Sequence, residues 1–113
     1  MANGDTGNPN VFTTFKGRYQ VAVADGASYE STAVMLSCVN DVIFMGDATS
    51  NQDGLIMTLP QDCTPNENVT VPCASGDSVL LLTIGTDGLI SGQPNTMYHA
   101  NGISFNISGN FYR

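Results

Sequence analysis

The sequence predicts an all-β, single-domain fold of the β-sandwich, jelly-roll type, and three observations carry that prediction. Apolar residues come in short runs; Gly, Asn, Asp and Pro punctuate those runs; and no stretch joins an N-cap to a sustained 3.6-residue period. A chain of 113 residues is one domain, burying roughly 65% of the surface its unfolded form exposes. Only 12% of residues are charged, so Asn, Ser and Thr carry much of the polar surface, and these types suit strands and turns better than helices.

Taken in order, residues 1–10 are small, polar and broken by Gly and Pro, which predicts an extended arm ahead of a domain spanning 11–113. Val11, Thr13 and Phe15 alternate with their neighbours, and Tyr19, Val21 and Val23 form one face of the next run. Asp25-Gly26 then supplies a turn. Residues 33–39 and 42–45 are nearly continuous apolar runs around Asn40-Asp41, which predicts two strands buried on both faces or on a subunit contact. After a polar loop ending in Asp53-Gly54, Leu55, Met57 and Leu59 alternate until Pro60 stops the strand.

A short strand at Val69 and Val71 is expected to end before Pro72. Residues 79–84 form the next strand, Thr86-Asp87-Gly88 is a tight turn, and Leu89 and Ile90 leave it. Met97 to Ala100 and Ile103, Phe105 and Ile107 read as two strands of a hairpin closed by Asn101-Gly102, the strongest short hairpin signal in the chain. About eight to ten short strands in one small domain point to a sandwich or jelly roll, which shelters its sheet edges.

The net charge of −7 sets ten acidic residues against Lys16, Arg18 and Arg113, which argues against nucleic acid and anionic membrane surfaces as partners. The first residues lack the basic start and apolar stretch of a secretory signal, and no run approaches the ~18 apolar residues of a membrane span, so cytoplasmic synthesis is expected. The acceptor patterns at Asn68-Val69-Thr70 and Asn106-Ile107-Ser108 are read as chance matches on that route. Of three cysteines, Cys63 and Cys73 flank a loop and can approach each other, but free thiols are the preferred reading; Cys38 sits in an apolar run and reads as a small core residue.

No catalytic constellation is evident. His99 is the sole histidine, and Ser104 and Asp87 form a triad with it only on paper, without a nucleophile elbow. Asp41, Asp47 and Asp53 recur every six residues but lack the alternating acids of a calcium loop, so neither metal nor cofactor is expected. Tyr19, Tyr29, Tyr98 and Tyr112 stand among Asn, Ser and Thr, types that bind sugars by stacking and hydrogen bonding, although tyrosines also finish the edges of a core. Tyr29, Asn51, Tyr98 and His99 are the candidate glycan contacts. The unalternated apolar strands ask for a second covered face, which predicts a subunit seam of Met35, Leu36, Val42, Phe44 and Leu81. Asn3, Asp5, Asn8 and Pro9 are the candidate anchoring residues of the arm.

The second half adds a resemblance. Leu59-Pro60 with Pro65, residues 69–73, Thr86-Asp87-Gly88 and Gly102-Ile103-Ser104-Phe105 follow one another in an order similar to a small C-terminal module of bacteriophage fibres, baseplate proteins and head fibres. The resemblance implies a jelly-roll head assembled as a homotrimer about a three-fold axis, exposed on the virion and used to contact a host cell-surface glycan. Such modules usually follow a long shaft, whereas only a short arm precedes the first strand here. The expectation is therefore a non-enzymatic virion protein, such as a short head fibre, capsid decoration or tail-tip protein, attached to other virion proteins through its arm; a receptor-binding module is the alternative.

Overall fold

The computed structural model describes residues 15–108, and this part of the chain is all-β. Three antiparallel sheets share one core. Sheet I runs β1 (Phe15–Gln20), β4 (Ala33–Ser37), β5 (Asp41–Phe44), β12 (Ser104–Asn106) from edge to edge. Sheet II runs β2 (Ala22–Val23), β7 (Leu55–Thr58), β10 (Leu89–Ser91), β9 (Ser78–Ile84), β8 (Val69–Ser75). The small sheet III pairs β6 (Ala48–Thr49) between β11 (Met97–Tyr98) and β3 (Ser28–Tyr29). Within the proline-bracketed segment, Gln61–Cys63 form a single 3₁₀ turn. No helix among the described residues is long and apolar enough to cross a membrane.

Alternation explains which faces meet. From Asp41 to Ser50 every second residue is buried, so one extended ribbon supplies Val42 and Phe44 to sheet I and Ala48 to sheet III. These join Val34, Leu36, Ile56, Leu82, Ile84, Ile90, Tyr98 and Phe105 in one apolar cluster, with the Phe44 and Phe105 rings 6.1 Å apart and tilted by 44°. The apolar runs of β4 and β5 were expected to be buried on both faces. Instead their burial alternates, with Met35 and Ile43 half-buried on the outer side.

Turn chemistry places the hairpins. Between β9 and β10 the Gly88 amide donates to the Gly85 carbonyl (2.9 Å), and Gly88 adopts φ +89°, a three-residue loop whose last position favours glycine. The β4–β5 loop follows the same plan with Asn40 at φ +69° and its amide on the Ser37 carbonyl. That loop takes Cys38 out of the strand, so the thiol expected in the core is exposed. Cys63 and Cys73 are buried free thiols. Burial, with Asp62 adding to it and Lys16 opposing, pushes the Cys63 thiol up to about 11.

Two turns depart from the sequence reading. Asn101-Gly102 does form a turn, with the Ile103 amide on the Ala100 carbonyl at 2.9 Å, but it does not close a hairpin. The strand before it pairs with β6 and the strand after it with β5, so the turn moves the chain from sheet III to sheet I. Strand β8 does not end at Pro72 but continues to Ser75, pairing along its whole length with β9 through a Gly76-Asp77 turn. Proline is tolerated because β8 is an edge strand. The adjacent Ala74 carbonyl accepts the His99 amide rather than a ladder bond, so the even-numbered backbone groups here, Pro72 included, point away from β9.

Candidate functional site

Three loops converge at one end of the molecule: the Asp25-Gly26 turn, residues 50–55 and residues 92–96. Asn51 holds them together. Its side-chain amide donates to the Asp25 carbonyl (2.8 Å), and its Oδ1 accepts the Asp53 and Leu55 amides (2.8 and 2.9 Å). Its own carbonyl accepts the Gly54 and Asn95 amides. Asn51 is 8% exposed, so these bonds form where water cannot replace them cheaply.

Ser50 and Tyr98 complete the junction. The Ser50 amide donates to the Thr96 carbonyl at 2.9 Å, while the Ser50 hydroxyl accepts the Thr96 amide and donates to the Gln93 carbonyl. Tyr98, fully buried, accepts the Gln93 amide on its phenol oxygen at 2.7 Å. The Gly92 amide reaches the Gly54 carbonyl at 2.8 Å, an approach that leaves no room for a side chain between the two loops.

Over this junction lies an open cleft of about 690 Å³ lined by Asp25, Asn51, Gln52, Asp53, Leu55 and Asn95, together with Ala24 and Gly26. Asp25, Gln52, Asp53 and Asn95 are exposed, so carboxylates and amides face solvent as acceptors and donors suited to hydroxyl groups. Among the described residues no aromatic ring lines the cleft. Nor, among the described residues, is there a group of three His, Cys, Asp or Glu side chains arranged to hold a metal ion.

The four candidate glycan contacts do not form one exposed cluster, although Tyr29 and Tyr98 flank Ala48 in sheet III. Asn51 and Tyr98 stand beneath the loops as supports, and neither presents its polar tip to solvent. Tyr29 is half-buried; its hydroxyl donates to the Ala33 carbonyl (2.7 Å) and accepts the Met45 amide (2.9 Å), which commits the tip that a sugar would need. Burial raises the Tyr29 pKa, against the Met45 amide and a Ser31 hydrogen bond that lower it. His99 alone is open, at 46% side-chain exposure, with Nδ1 3.5 Å from the Asp47 carboxylate. The anchoring residues Asn3, Asp5, Asn8 and Pro9 lie outside the described residues.

The seam residues divide as sharply. Leu36, Val42 and Phe44 are no more than 2% exposed inside one subunit, so they cannot meet a second one, and Met35 is half-buried. Their inward position follows from the alternation of β4 and β5. Leu81 is exposed, and with it Val79, at 59% and 70%. Cross-strand pairing sets Pro72 against Leu81, Ala74 against Val79 and Thr70 against Thr83. Together these residues give the outer face of the β8–β9 hairpin an apolar ladder without a charged side chain. Leu80, Leu82 and Ile84 face inward between them, so the missed signal was a two-residue alternation of an unbroken apolar run.

Set against known proteins, the chain matches no family model, no curated protein and no solved structure.

Proposed function

We propose that this chain is a non-enzymatic structural protein of a bacteriophage particle: a jelly-roll β-sandwich head that assembles as a homotrimer and attaches through its N-terminal arm. The observation that carries the self-assembly is the ladder on β8 and β9. A Val and a Leu more than half exposed on one uncharged sheet face are the kind of surface a soluble protein covers with a partner. The particle context rests on the order of the second-half segments, which resembles phage fibre and head-fibre modules. Sheets I and II are the two layers of the sandwich in this reading, with sheet III closing the loop-bearing end.

Light scattering on the full chain at tens of micromolar tests the assembly. A trimer is expected, and Leu81→Asp is expected to give a folded monomer. A wild-type chain that remains monomeric removes the proposal's central element. Attachment is tested by deleting residues 1–9: particles that still take up the truncated protein rule out the arm as anchor.

A second reading, recognition of a host cell-surface glycan, is favoured by the polar cleft. Its carboxylates and amides match the hydrogen-bonding needs of a polyol, and its loops are held rigid from below. Binding on a glycan array, lost in Asp53→Ala, supports this reading; an array without signal leaves the structural role alone.

A further inference from the structure

Six large apolar side chains are exposed among the described residues; Val23 on β2 and Met97 on β11 stand apart, and the other four form two groups on different sheets. Val79 and Leu81 belong to the hairpin at the edge of sheet II. Phe15, at 51%, and Val39, at 46%, belong to the opposite sheet, at the start of β1 and in the β4–β5 loop. Phe15 is paired with Ser37, and the Lys16 ammonium donates to Asn40 Oδ1 at 3.2 Å, which lays the start of β1 alongside the loop carrying Val39.

Charge separates the two groups further. The ladder itself is uncharged, and its ends are acidic: Asp77 lies in the turn beyond Val79, and Glu67 and Asp87 are exposed at the other end, where Val69 pairs with Ile84. Of only three basic residues in the chain, Lys16 and Arg18 flank the Phe15 end of β1. Both are exposed, and among the described residues the sole close acid–base contact is His99 with Asp47, so neither is paired with a carboxylate of those residues.

We infer that a second copy of this chain covers the β8–β9 ladder with its Phe15, Lys16, Arg18 and Val39 surface, so that copies join head to tail. This rests on the self-assembly reading above and deepens it by naming both partners of the contact. Apolar meets apolar at the centre, while the basic residues of one copy meet the acidic ends of the other, an arrangement that fixes register and speeds encounter. Two ladders docked on each other would set Asp77, Glu67 and Asp87 of one copy against the same acids of the next, in either orientation. Because the two surfaces differ, the contact is heterologous and generates a ring wherever its rotation closes.

The test uses two full-length variants, Leu81→Asp and the double variant Lys16→Glu with Arg18→Glu, each altered at exposed positions on one surface. Each alone is expected to be a folded monomer by circular dichroism and light scattering. An equimolar mixture is expected to form dimers and nothing larger, because it restores one junction and the ring cannot close. Assembly of the wild type is expected to weaken several-fold as salt rises from about 0.05 to about 0.5 M. The inference is overturned if the Lys16/Arg18 variant assembles like the wild type, if the folded variants do not combine, or if wild-type assembly is indifferent to salt. A wild type that is monomeric at tens of micromolar overturns the self-assembly reading as well, which separates the two failures.

Discussion

Replacing Asn51 by alanine asks whether one side chain organises the loop-bearing end. The substitution deletes three hydrogen bonds of 2.8 to 2.9 Å and strands two backbone amides, those of Asp53 and Leu55, beside a buried position. At about 1 kcal/mol for each neutral bond, with a further penalty for donors left unmet, the expected loss of stability is about 2–4 kcal/mol. With a urea slope of ~1.5 kcal/mol/M for a domain of this size, the unfolding midpoint falls by about 1.3–2.7 M at unchanged slope. Asn51→Asp keeps both accepted bonds but faces a carboxylate toward the Asp25 carbonyl, so its loss is expected to be smaller than that of alanine at low pH, where the carboxyl is protonated. Equilibrium urea unfolding followed by circular dichroism measures both. An alanine variant within about 0.5 kcal/mol of wild type, the range of an ordinary surface change, refutes the assignment of Asn51 as the organising residue.

Other expectations concern turns and thiols. Gly88→Ala combines a φ of +89° with a new Cβ 2.7 Å from the Leu59 carbonyl oxygen and is expected to cost more than about 2 kcal/mol, whereas Gly76→Ala meets no atom within 4 Å and is expected to cost only the ~1 kcal/mol of its left-handed backbone; thermal unfolding of the pair decides. Cys38 is expected to react with a disulfide reagent at pH 8 in the native protein, and Cys63 and Cys73 only after denaturation; three reactive thiols in the folded chain contradict their burial. Because the Cys63 thiol titrates near 9.0 when unfolded and about 11 when folded, its contribution is intact below pH 9 and is lost as pH rises toward 11. Cys73 and Tyr29, both raised, act in the same sense. Urea midpoints are therefore expected to fall across that window, less steeply in Cys63→Ala.

Local signals carried the parts of the fold that local chemistry decides. Asp25-Gly26 and Thr86-Asp87-Gly88 were legible because a glycine with positive φ is demanded by the turn itself. Asn101-Gly102 was legible as a turn but not as a junction between sheets, since partner choice belongs to the rest of the fold. Pro72 misled for the related reason that its tolerance depends on β8 being an edge, which no five-residue window contains. Cys38 looked like core because its neighbours are apolar, and only the three-residue loop closed by Asn40 turns it outward. At the candidate site, Tyr98 and Asn51 carry hydrogen-bonding side chains that turn inward rather than to solvent. Their polar groups are satisfied by backbone 2 to 26 residues away, as with the Asn51–Asp25 and Tyr98–Gln93 bonds, and composition carries no trace of that.

The junction built on Ser50, Asn51 and Tyr98 also separates what must stay from what is free to change. Gln52, Asp53, Gln93 and Pro94 stand exposed directly above residues that hold the loops by buried side chains and main-chain bonds. Such an arrangement admits new residues, and even short inserted peptides, at the crown without disturbing the strands below. Variation at those four positions becomes the economical way for this small domain to acquire a different surface while remaining the same scaffold.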